Sequence, residues 1–174
     1  MRSLILILTV TAVAGCRTED HRAQTYLGED VRVSVIVSPM FSLQSDWRRK
    51  LVIETATGDS EYILPEDTGW WRGSNLYLHS SDVYVLHEGQ AGCVLFRAAP
   101  PELVNDPTIS CENTHMTLQE DVVHAELSTQ AFPASRFYTD FYYIGQFVET
   151  PLRQEPVSFI EADEQAEAEL PDPM

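Results

Sequence analysis

The constraint that bears hardest on the fold is a series of short apolar segments, each closed by turn-forming residues. Val83-Tyr84-Val85-Leu86-His87 lies between Ser80-Ser81-Asp82 and a Glu88 to Gly92 turn, and Cys93-Val94-Leu95-Phe96-Arg97 follows at once. Trp70 to His79 precedes them. Segments this short, rich in β-branched and aromatic residues, read as successive antiparallel strands. Upstream, Val31 to Val37 is a strand stopped by Ser38-Pro39. Trp47 to Thr55 is another, with Leu51, Ile53 and Thr55 on one face. Thr57-Gly58-Asp59-Ser60 predicts a hairpin turn returning through Glu61-Tyr62-Ile63-Leu64. The expected fold is therefore all-β, an antiparallel meander forming a sandwich or a small barrel.

The register of the Leu76–His79/Val83–His87 hairpin stays open. A two-residue turn groups Leu76 and Leu78 with Val83 and Val85; a three-residue turn groups them with Tyr84 and Leu86. Pro100 to Pro107 reads as a loop. Thr108 to Cys111 and Met116 to Leu118 are short strand candidates, and Asp121 to Leu127 is a strand or one short helix. Ser135 to Val148 is a strong aromatic segment, and Val157-Ser158-Phe159-Ile160 is the last strand. From Glu161 to Met174 there are six acids and no base, which predicts a solvated, disordered tail.

The first 16 residues carry an address. Arg2 precedes the apolar run Leu4-Ile5-Leu6-Ile7-Leu8, which continues to Ala14. A basic start, an apolar core and a small-residue ending form a secretory signal. The run falls short of the roughly 20 residues that a helix needs to cross about 30 Å of hydrocarbon. Val13-Ala14-Gly15-Cys16 resembles the lipobox of bacterial lipoproteins. The resemblance implies lipid transfer to the Cys16 thiol, cleavage before Cys16 and acylation of the new amino terminus, palmitate included. One acyl chain holds weakly, so durable anchoring takes two or more. In that pattern Arg17, in place of an aspartate, favours the outer membrane, with the domain facing the periplasm. The implied division is a signal peptide over 1–15, a lipidated cysteine and tether over 16–30, an all-β domain over 31–160 and the acidic tail over 161–174.

The whole chain has 11 Lys+Arg against 27 Asp+Glu, a net charge of −16. Loss of Arg2 with the signal leaves 10 against 27, or −17. Nucleic-acid affinity depends on Lys and Arg neutralising phosphates, so this charge argues against that partner. Cys93 and Cys111 form an even pair in an exported chain, which predicts a disulfide. It closes a loop of about 19 residues and stabilises by roughly 3 kcal/mol. The competing reading makes Cys93 a catalytic thiol, which needs a histidine beside it.

Catalytic signatures are few. There is no Gly-x-Ser-x-Gly, phosphate loop, Gly-x-Gly-x-x-Gly, His-Glu-x-x-His or Cys-x-x-Cys. No cofactor is implied. His115 and His124 lie near Glu112, Glu120 and Glu126, but at no recognised metal-ligand spacing, so no metal is expected. Trp70 and Trp71 are adjacent, so on a strand one fills the core and the other meets solvent beside Arg72. Trp70, Trp71 and Arg72 are thus the candidate binding surface, a platform for a glycan or an envelope protein.

Tyr138-Thr139-Asp140-Phe141-Tyr142 is similar to a segment of small periplasmic lipoproteins that inhibit lysozymes and fold as eight-stranded barrels. Where that family has Ser-Gly ahead of the segment, this chain reads Ala134-Ser135-Arg136-Phe137. The functional expectation is a lipid-anchored envelope protein with a non-enzymatic binding or scaffolding role. The alternatives are an inhibitor or immunity-like protein against a basic periplasmic enzyme, and a hydrolase using two carboxylates.

Overall fold

Val31 to Val37 alternates as a strand must, and the computed structural model carries that strand on to Pro39. The structure describes residues 19–40, 47–66, 71, 73–88, 92–109, 137–138, 141–150 and 156–162. Among them are eleven strands: β1 (His21–Tyr26), β2 (Val31–Pro39), β3 (Trp47–Thr55), β4 (Gly58–Ile63), β5 (Gly73–His79), β6 (Tyr84–His87), β7 (Cys93–Ala98), β8 (Pro101–Leu103), β9 (Phe137–Tyr138), β10 (Phe141–Glu149) and β11 (Val157–Glu161). The class is all-β, as the turn spacing required.

Two antiparallel sheets pack face to face. The smaller runs β1-β2-β3-β4; the larger runs β11-β10-β5-β6-β7-β8, with β9 paired to β10. The shared core draws on both: Val33, Val35, Val37, Leu51 and Ile53 from one sheet, Leu76, Leu86, Phe96, Phe147 and Val157 from the other. Every second residue of β2 and β3 points inward, which is the period-2 pattern that made these strands legible.

The architecture is a sandwich, not a closed barrel. β1 lies beside β11, and β4 beside β8, without joining into one ladder. Side chains bridge the open corners instead. Thr25 Oγ1 donates to Glu161 Oε1 at 3.2 Å, and Tyr62 Oη donates to the Pro101 carbonyl at 3.2 Å. β8 begins with Pro101, and an edge strand is where a residue with no N–H is tolerated.

The hairpin register resolves to the second grouping: Leu76 faces Leu86 and Leu78 faces Tyr84. β10 carries a bulge between Tyr143 and Gly145. Gly145 has no side chain because Phe159 occupies that space. A Cβ there would meet the Ile160 carbonyl and lie 2.6 Å from Phe159 Cζ. The Phe159 ring packs edge-on against Phe147, with centroids 4.7 Å apart.

Three expectations need correction. The tether over 16–30 is too long, because His21 to Tyr26 is β1, paired along its whole length with β2. The domain therefore starts before residue 31. Thr108 is no strand; its N–H and hydroxyl both bond Asp106 Oδ1, at 2.9 and 2.6 Å, in a turn. Pro101 to Leu103, read as loop, is β8. The candidate elements at Met116–Leu118 and Asp121–Leu127, and the tail beyond Ala162, lie outside the described residues.

The two ends of the sandwich differ. At one, here the turn end, residues 27–30, 56–57, 80–83 and 99–100 join consecutive strands. At the other, the loop end, β1 begins and the connections are residues 40–46, 64–72, 88–92 and 150–156.

Candidate functional site

Of the two adjacent tryptophans, one of which is expected to fill the core, Trp71 is the one that does. Trp71 is only 6% exposed and belongs to the core, not to a solvent-facing platform. The strand begins at Gly73, so Trp71 precedes it and is not governed by strand alternation. Trp70 and Arg72 lie outside the described residues, as do Cys16 and Cys111.

What Trp71 does is cover a buried ion pair. β3 presents Trp47, Arg49, Leu51 and Ile53 to the interior by strict alternation, so Arg49 points between the sheets at the loop end. Glu88 follows β6 with the same parity as Leu86 and points inward from the other sheet. Arg49 Nη1 and Glu88 Oε2 are 2.6 Å apart, with side chains 2% and 1% exposed. Arg49 Nη2 also donates to the Pro65 carbonyl at 2.8 Å. The guanidinium carbon sits 4.9 Å from the Trp71 ring centroid, a cation–π contact. Trp71 Nε1 donates to Ser74 Oγ at 2.9 Å, and Ser74 Oγ donates to Glu88 Oε1 at 2.7 Å.

Chemically, the Ser74 hydroxyl against the Glu88 carboxylate has the outline of a nucleophile beside a base. Three observations assign it to structure. Glu88 is neutralised by Arg49, Ser74 is 1% exposed, and the ring of Trp71 covers the group. The assembly ties β3 to the β4–β5 and β6–β7 connections. Each charge is buried against its opposite, and a buried charge left alone is costly. The sequence hid it because Arg48-Arg49-Lys50 reads as a surface charge run and Glu88 as a turn residue. The signal available was Arg49's place two residues before Leu51 on the inward face.

A second polar row crosses the outer face of the larger sheet. In direct register stand Gln146, Asn75, His87 and Cys93, on β10, β5, β6 and β7. Gln146, Asn75 and His87 are all under 7% exposed, and each is engaged by neighbours. The row borders Tyr77, Val85, Leu95 and Tyr143, a second apolar cluster with Ile109 and Ala162. Burial holds the His87 imidazole below its usual pKa, so it is neutral at pH 7. Sequence spacing gave no hint of a histidine beside Cys93; strand pairing supplies His87 directly opposite. Cys93 is nevertheless not a free thiol.

The other described histidines serve locally. His79 Nδ1 and Ser81 Oγ are 2.8 Å apart, and the His21 ring stands edge-on to Trp47 at 6.4 Å. His115 and His124 lie outside the described residues. Among the described residues no three of His, Cys, Asp and Glu gather as a metal site, and no helix is long and apolar enough to cross a membrane. No protein-family model, curated protein or solved structure matches the chain.

Proposed function

We propose that the chain is a lipid-anchored envelope protein, held in the membrane by lipid on Cys16, whose β-sandwich binds or scaffolds a component close to that membrane. The observation that carries the reading is the lipobox-like Val13-Ala14-Gly15-Cys16, placed only a few residues ahead of β1. An exported domain also accounts for the cysteine pair, and a disulfide from Cys93 to Cys111 belongs to the same proposal. The outer membrane, with the domain in the periplasm, is the address that Arg17 favours.

Metabolic labelling with a palmitate analogue tests the anchor in the full chain. The natural sequence is expected to take label and fractionate with membranes. Cys16→Ser is expected to take none and to persist as the uncleaved precursor. Equal labelling of the two chains overturns the anchor. Crosslinking of the anchored protein in intact envelopes then identifies what it holds. A basic enzyme as the captured partner, released by moderate salt, would turn the binding role into inhibition.

A further inference from the structure

We propose that the loop end of the sandwich rests against the bilayer that carries the anchor, with Ser38, Pro39, Trp47 and Arg48 at headgroup level and the turn end pointing away. This rests on the lipid-anchor reading above and adds an orientation to it.

The geometry comes from the small number of residues between Cys16 and Asp20. The Ser38 hydroxyl donates to Asp20 Oδ1 at 2.5 Å, so the chain is fastened to the sandwich from Asp20 onward. Only Arg17, Thr18 and Glu19 separate Asp20 from Cys16. Four residue steps span at most about 14 Å when fully extended. The headgroup layer on each side of the hydrocarbon is itself about 5–8 Å deep. Asp20 is therefore confined to within about 6–9 Å of the headgroup surface.

Register carries that confinement across the smaller sheet. His21 pairs with Val37, so Asp20 and Glu19 continue at the level of Ser38 and Pro39, and these pair with Arg48 and Trp47. Ser38, Pro39 and Trp47 are half-buried and Arg48 is exposed. Trp47 suits the position: its ring lies at the rim, and its Nε1 donates to Glu149 Oε1 at 3.1 Å. An amphipathic ring with a satisfied N–H is the side chain favoured at a membrane–water boundary. The Arg48 side chain is 72% exposed; its Nε pairs with Glu66 at 3.9 Å, a loose, solvent-exposed pair that a phosphate can displace.

The charge of the chain points the same way. β11 runs from Val157, opposite Glu149 at the loop end, to Glu161, opposite Gly145 in mid-sheet. The chain thus heads towards the turn end as it enters its run of six acids. An anionic lipid surface repels such a run, so an orientation in which β11 leads away from the lipid suits the charge of the chain better than the reverse. Strands of nine residues set the turn end about 30 Å further out.

Photo-crosslinking in the full, lipidated chain tests the orientation. Arg48→p-benzoylphenylalanine probes the loop end and Glu29→p-benzoylphenylalanine the turn end; both sites are exposed, so neither replacement disturbs the core. The expected result is a phospholipid adduct from position 48 and its loss at position 29. Adducts of equal yield at both positions, or a larger yield at 29, in protein that fractionates with membranes overturn the orientation alone. Protein that does not fractionate with membranes overturns the anchor, and the orientation with it.

Discussion

At the turn end β3 passes into β4 through Ala56 and Thr57 alone, whereas at the loop end β4 reaches β5 only after residues 64–72. The two ends are held by different means. Thr55 Oγ1 donates to the Gly58 carbonyl at 2.8 Å, and the Asp82 N–H donates to the His79 carbonyl at 3.0 Å. Such bonds are local, each worth about 0.5–1.5 kcal/mol, and the turn closes with little loss of chain entropy. At the loop end, Arg49, Trp71, Ser74 and Glu88 come from separate strands and connections and meet inside the sandwich. There the hold is a buried, long-range network in place of turn-local bonds.

The difference predicts unequal damage. Glu88→Ala leaves the Arg49 guanidinium buried without its counter-charge and removes the acceptor for Ser74. A loss of about 3–5 kcal/mol is expected, read as a lower urea midpoint under non-reducing conditions. The double change Arg49→Met with Glu88→Leu is expected to recover most of it, since an apolar pair can replace a buried ion pair. If Glu88→Ala loses no more than a turn-end substitution, the network is not what fixes the loop end.

A smaller effect separates the ends by pH. His87 closes β6 at the loop end and is buried, with its pKa held below the ordinary 6.5 by desolvation. Below about pH 6.5 the unfolded chain takes up a proton that the folded chain refuses. Stability therefore falls as pH drops from 7 towards 5, by at most about 1.4 kcal/mol per pH unit for one proton. His87→Gln keeps the size and hydrogen bonding while removing the titration, so urea midpoints of the variant are expected to change less over that interval. The depressed Glu54 carboxyl, bonded by Arg32 and Arg22, sheds its contribution only as pH falls below about 4.5. The same slope in His87→Gln would show that other groups carry the pH dependence.

These contrasts also mark what the sequence could disclose. β2, β3, β5, β6, β7 and β10 were legible because each is a short run rich in β-branched and aromatic residues, most of them bounded by turn formers. β1 was not, because an edge strand needs few apolar residues: in His-Arg-Ala-Gln-Thr-Tyr only Ala23 and Thr25 are buried. Its identity as a strand lies in its partner β2. The Leu76/Leu86 register was narrowed to two choices, and residues 80–83 selected one. The buried ion pair was illegible for a different reason. Arg49 and Glu88 are 39 positions apart, and only the packing of the two sheets brings them together. Trp71 showed its aromatic nature but not its partner, so an exposed platform and a core lid looked alike.

The smallest predicted effect belongs to the turn end. Gly28 in the β1–β2 turn has φ +82°, and a Cβ built there meets nothing within 4 Å. Gly28→Ala therefore adds no clash, only the strain of placing an L side chain in left-handed backbone. The expected loss is about 1 kcal/mol, read from the urea midpoint. Because the strain is confined to one turn, Gly28→Ala and Glu88→Ala are expected to be additive to within about 0.5 kcal/mol, as for distant, independent sites. A clear departure from additivity would mean that the two ends are coupled through the strands. A local turn and a long-range network would then no longer be separate means of holding one sandwich.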